Sequence, residues 1–201
     1  ISILIKNKKT SDNIINTEMN KKVIFSALIL LLYCGILQAQ FSYVNLLDKK
    51  KYSKIQKKIE KLYLKDPNNI SVNYDFSVLY SIREYKLFNI DSAFIFAKRA
   101  EKFYSISENK EKLNKNMINE QTLREQILLI CKMAYDRSIN ENTIEGYNNF
   151  YRNFPDNKQL VEEALKKRNN LAFEFAKKIN TVESFQDFIN TYPNAIEIEQ
   201  A

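Results

Sequence analysis

The chain contains no histidine among its 201 residues. Imidazole acid–base catalysis and histidine metal sites are therefore excluded. It has only 2 Gly and 3 Pro, too few to build the many reversals of a β-sandwich or barrel. Gly146 is the sole glycine after position 39, so a glycine-rich phosphate loop is absent. The 2 cysteines, Cys34 and Cys131, are too few for a cysteine-only metal site. Cys34 lies in a segment read below as removed, which leaves Cys131 without an intrachain disulfide partner. With no histidine to activate it, Cys131 in ILLICKMAY reads as a buried structural thiol.

What is present favours helix. Apolar residues make up 45% and aromatics 12%, ample for a packed core and against wholesale disorder. Lys, Glu, Leu, Ile and Ala are good helix formers, while the many Asn suit caps and connections. The length fits one domain or several small repeated units. Of the formal charge of +7, residues 1–39 carry +3: Lys6, Lys8, Lys9, Lys21 and Lys22 against Asp12 and Glu18. In the remaining +4 the Lys and Glu alternate along helical faces, as in KKKYSKIQKKIEK. That pattern reads as solvated helix surface, not as a nucleic-acid patch.

The N-terminus reads as a targeting segment. Lys21 and Lys22 after Met19 form a positive region, and Val23 to Leu37 is an uncharged, largely apolar run of 15 residues. Ala39 supplies the small residue before a cut that leaves Gln40 first. The expectation is a secretory signal peptide at 19–39. As a helix the run spans about 22 Å at about 1.5 Å per residue, short of the roughly 30 Å hydrocarbon layer, so an uncleaved anchor is disfavoured. Cys34 follows the bulky Tyr33, which speaks against lipidation. Residues 1–18 precede the expected start at Met19 and read as an upstream extension.

The later half repeats itself. NTIEGYNNFYRNFPDN at 142–157 returns as NTVESFQDFINTYPNA at 180–195, an offset of 180 − 142 = 38. Asn142 and Asn180, with Glu145 and Glu183 three residues on, have capping-box spacing. Ile144, Tyr147, Phe150 and Tyr151 recur at helical spacing, matched by Val182, Phe185, Phe188 and Ile189. Phe154-Pro155 and Tyr192-Pro193 stop both helices, because the residue before Pro is pushed out of the α region. Each unit is expected to be a long helix, a short connection, a shorter helix and a Pro stop. The long helices are expected from about Asn114 to Ile139, with a face of Ile127, Ile130, Cys131, Ala134 and Tyr135, and again with Val161, Leu165, Ala172, Phe175, Ala176 and Ile179 on one face. A lone pair of this kind cannot bury its stripe, so units stack. By the same offset Ile196 opens a further long helix that Ala201 interrupts, which reads as a truncated repeat.

The first half carries a stripe of Ile55, Ile59 and Leu62 up to Asp66-Pro67-Asn68-Asn69, then Val72, Phe76, Leu79 and Tyr80. A third helix is expected after a cap at Asp91, with Ala93, Phe96, Ala97, Ala100 and Tyr104 inward. Residues 66–104 resemble a tetratricopeptide repeat. DPNN is a common junction of that family, Ser77 and Tyr80 stand at its small and aromatic first-helix places, and Ala93, Ala97 and Ala100 follow its second-helix series. The chain departs at Ala97, where an aromatic is usual, and in EYKLFNI, about four residues longer than the family's turn. From 110 onward the chain is generally similar to α-solenoid repeats. LAFEFAKKINTVESFQDFINTYPNA looks like segments of secreted or envelope proteins of the Bacteroidetes lineage. The expected organisation is thus an extension (1–18), a signal peptide (19–39), a tetratricopeptide-like unit (40–109) and 38-residue helical repeats (110–201), all-α in stacked antiparallel helix pairs.

No constellation of catalytic groups emerges. Adjacent Glu162 and Glu163 diverge by roughly 100° on a helix and do not converge on one substrate. With Glu197 and Glu199 they read as exposed helix charges, and the aromatic stripes read as core, not as a base-stacking platform. No cofactor is expected, and no membrane span after signal cleavage. The reading is a non-enzymatic, exported scaffold of the periplasm or cell envelope that binds a protein or peptide. Helical arrays present a concave surface lined by the first helix of each pair. The candidates for that lining are Asn73, Ser77, Tyr80 and Ser81, with core packing as the alternative for Tyr80. The alternatives are an accessory region of a larger envelope enzyme or outer-membrane assembly machine, and a carboxylate-only enzyme, which the scattered acids disfavour.

Overall fold

Asparagine and threonine caps cut the helix-forming runs into an all-α chain. The computed structural model describes residues 43–47, 49–115 and 118–201. The signal segment at 19–39 and the extension at 1–18 lie outside the described residues. After a helical turn at Val44–Leu47 come α1 (Tyr52–Lys65), α2 (Ile70–Ser81), α3 (Ile90–Ser105), α4 (Lys110–Lys115), α5 (Glu120–Glu141), α6 (Ile144–Asn153), α7 (Lys158–Ile179) and α8 (Val182–Thr191). A 3₁₀ segment, Ile196–Gln200, follows, and no strand occurs among the described residues. Neighbours in sequence pack on one another: α1 on α2, α2 on α3, α5 on α6, α6 on α7 and α7 on α8. α3 crosses the short α4, which buries nothing, to pack on α5.

The 38-residue repeat holds at every boundary. Helix α5 runs from 120 to 141 and α7 from 158 to 179; α6 runs from 144 to 153 and α8 from 182 to 191. The caps correspond as well. The side chains of Asn119 and Asn157 accept from the amides of Thr122 and Leu160. Asn142 and Asn180 adopt the left-handed conformation, φ 46° and 56°, and their amides donate to Ser138 and Ala176. They are therefore helix C-caps, not the N-caps that their spacing suggested. Asn is the side chain other than Gly that suits this conformation best. Thr143 and Thr181 take over N-capping, accepting from Gly146 and Ser184. Neither Glu145 nor Glu183 closes a box; the reciprocal partners are Ser184 for Thr181 and Thr122 for Asn119.

Both hairpins fold back antiparallel. Along α7 and α8, Arg168 lies over the Tyr192 ring at 4.9 Å, Phe173 meets Phe188 at 5.3 Å, and Ser184 Oγ donates to the Ala176 carbonyl. In the earlier hairpin Tyr135 meets Phe150 at 5.5 Å and the Tyr147 hydroxyl bonds Asn142. Phe150 and Phe188 are 1% and 4% exposed, so the two copies bury the same ring. Burying a ring of this size removes about 150–250 Å² from water, which makes it the principal anchor of each pair.

Several boundaries and faces differ from the sequence reading. Asn89, not Asp91, caps α3, accepting from Ser92; Asp91 instead pairs with Arg137 of α5 at 3.0 and 3.2 Å. The long helix expected from Asn114 begins at Glu120, because Asn119 caps there. Leu62, Tyr151, Phe175, Ile179 and Val182 are exposed although they lie on helical stripes. Ile196 opens a short 3₁₀ turn in place of a long helix. Its Ile198 packs against the α7–α8 cluster, as Leu160, at 198 − 38, packs against the α5–α6 cluster.

Candidate docking surface

The polar residues placed on the concave lining do not share one accessible face. Asn73 and Ser77 are both fully buried. Helix α2 is enclosed by α1, α3 and α5, so every residue from Val72 to Leu79 is inside. The Asn73 amide is spent on the chain itself, donating to the carbonyls of Pro67 and Asn69 at 2.9 and 2.8 Å. Tyr80 and Ser81, one turn on, are half-buried. Tyr80 stacks on Phe76 and Phe96, and Ser81 accepts from Gln126 of α5 at 3.4 Å. These four residues are thus chiefly an internal seam between α2 and its neighbours.

Reactive groups are equally enclosed. Cys131 is buried, and its thiol is pushed up to about 12 by burial and then by the Asp156 carboxylate. A thiol so shifted carries almost no thiolate at neutral pH. Burial, and then the hydrogen bond that the hydroxyl donates to Glu163 at 3.2 Å, pushes the Tyr135 phenol up to about 12. Glu197, expected as an exposed charge, is only 6% exposed. Among the described residues, no group of three His, Cys, Asp or Glu side chains is placed to hold a metal ion.

An open apolar surface with a groove beside it lies elsewhere, along α7. Phe175 and Ile179 are 52% and 64% exposed and one turn apart. Beneath them Ala172 and Ala176 pack against α8, and Ile144 closes one side from the start of α6. The resulting groove has a volume of about 410 Å³ and is rimmed by Glu183 and Asp187 of α8. No helix among the described residues is long and apolar enough to cross a membrane.

The two copies differ in what reaches this side of the long helix. On α5 the residues equivalent to Phe175 and Ile179 are Arg137 (175 − 38) and Glu141 (179 − 38). There α3 arrives after the eight-residue loop 82–89, whose Phe88 packs on the α5 cluster, and Asp91 engages Arg137. On α7 the neighbour is α6, which follows α5 after only Asn142 and Thr143. Ile144, the first residue of α6, reaches one side of the groove and leaves Phe175 and Ile179 more than half exposed. The sequence held a signal for this surface: two positions charged in the first copy are apolar in the second. Helical periodicity alone assigned both to the core.

No protein-family model, curated protein or solved structure matches this chain.

Proposed function

We propose that the chain is an exported helical-repeat scaffold that mediates protein–protein interaction in the cell envelope. One observation carries the reading: the second hairpin reproduces the first at each helix boundary and cap, with one leaning on the next. Stacked pairs of this kind extend one hydrophobic core along an axis and leave long side surfaces for partners. The tetratricopeptide resemblance at 66–104 is compatible with the packing of α2 on α3 and of α3 on α5. Export rests on the positive, apolar and small-residue order of positions 19–39.

The two halves of the reading separate experimentally. Fusing residues 1–45 to a phosphatase that folds only in an oxidising compartment should give active enzyme, and deleting 21–37 should abolish it. Equal activity with and without that deletion refutes export. For the scaffold, residue-specific cross-linking from the exposed Tyr151, Phe175 or Val182 in the native cell should join the chain to a defined protein. Cross-links confined to the chain itself refute the interaction role.

A further inference from the structure

We propose that the α7–α8 groove is a docking site for a basic amphipathic helix of another protein. The inference deepens the scaffold reading and rests on it. The apolar side of the groove is out of place for a solvated helix. Phe175 and Ile179 stand where the first copy carries Arg137 and Glu141, and both remain more than half exposed. Two apolar residues one turn apart form the ridge that helix-in-groove recognition uses, with the partner contributing anchors at i, i+3, i+4 or i+7. The volume, about 410 Å³, takes a few side chains of one helix and not a folded domain.

Charge selects the sign of the partner. Glu183 and Asp187 sit one turn apart on the rim, and neither has an ion pair among the described residues. Lys177 and Lys178 lie on the opposite side of Phe175 with Glu174, which holds Lys177 at 3.1 Å, and neither lysine lines the groove itself. Two unpaired carboxylates on a chain of formal charge +7 make a local acidic edge beside an apolar floor. A helix with Leu or Phe on one face and Lys or Arg along its flank complements both features. A second copy of this chain does not. A two-fold interface places the same patch on both partners, so the acidic rims would face each other.

The test uses the 201-residue chain and a fluorescent, helical probe peptide of about 16 residues with Leu at i, i+4 and i+7 and Lys along one flank, read by anisotropy. A matched probe carries Glu in place of Lys. The Lys probe should bind, and Phe175→Glu with Ile179→Glu should weaken it by at least about tenfold, the scale of anchor residues at an interface. Glu183→Lys with Asp187→Lys should transfer preference to the Glu probe. All four side chains are exposed, so the helical circular dichroism of both variants should match the parent. Failure of the Lys probe to bind, binding unchanged in the Phe175/Ile179 variant, or a dimer of the parent that this variant dissolves would each overturn the proposal. A native partner whose cross-linking survives the same variant would overturn this site while leaving the scaffold reading intact.

Discussion

Replacing Phe150 or Phe188 by alanine tests whether the two hairpins are physical copies that differ only in what covers them. Both rings are buried, at 1% and 4% exposure. Each has two ring neighbours: Tyr135 and Phe154 at 5.5 and 6.1 Å for Phe150, Phe173 and Tyr192 at 5.3 and 5.6 Å for Phe188. Removing such a ring forfeits about 1.5–3 kcal/mol of transfer free energy. Loss of two aromatic pairs adds about 0.5–1.5 kcal/mol each. Together these terms bracket the roughly 3–5 kcal/mol typical of Phe→Ala in a core. Phe150 lies in a large cluster fed by α3, α5, α6 and α7, with little room to collapse. Phe188 belongs to a smaller cluster covered on one side by the 3₁₀ turn, which can close over the void. Phe150→Ala should therefore cost about 5 kcal/mol and Phe188→Ala about 3 kcal/mol, measured by urea unfolding followed at 222 nm. Amide exchange should separate them too, with Phe150→Ala exposing α5 to α7 and Phe188→Ala exposing only α8 and its contacts on α7. A cost below about 0.5 kcal/mol for Phe150→Ala, or identical exchange patterns, would refute the reasoning.

Three further outcomes are expected. Asn180→Ala should cost about 1–2 kcal/mol, because its left-handed φ of 56° penalises a Cβ without a helpful side chain, whereas Asn180→Gly should be tolerated; Asn142→Gly should be costlier than Asn180→Gly, since it also loses the bond to Tyr147. Thermal unfolding ranks all three. Thr143→Ala and Thr181→Ala should each lower stability by about 1 kcal/mol through loss of the N-cap, with the smaller effect in the Thr181 variant if α8 frays independently. Cys131 should resist a thiol reagent at pH 8 in the folded chain and react on unfolding. Its thiol is raised from the ordinary 9.0 to about 12, so above pH 9 the unfolded state loses a proton that the folded state keeps. Stability should therefore fall as pH rises from about 9 towards 12, with the buried phenols of Tyr85 and Tyr135 adding in the same direction. A Cys131→Ala variant should show a shallower fall.

Much of the architecture was legible because helix signals are local. Apolar residues at 3.6 spacing, Pro at 155 and 193, and Asn-Thr pairs at 142 and 180 placed the two short helices and the second long one closely, while the first long helix starts six residues after the expected Asn114; between the two hairpins the 38-residue offset holds to the residue. The cap roles were harder to assign, since Asn suits both an N-cap and a left-handed C-cap. Only the observed backbone conformation distinguishes the two for Asn142 and Asn180.

The sequence by itself determined the helical class, the repeat and the paired aromatic anchors, because each depends on residues a few positions apart on one helix. The tertiary structure decided which stripes are covered, because burial depends on what a distant segment brings. Asn73 and Ser77 read as surface until α1, α3 and α5 closed around α2. Phe175 and Ile179 read as core, yet they stay open because no other described segment is laid across them, whereas at the equivalent place on α5 the distant Asp91 of α3 engages Arg137.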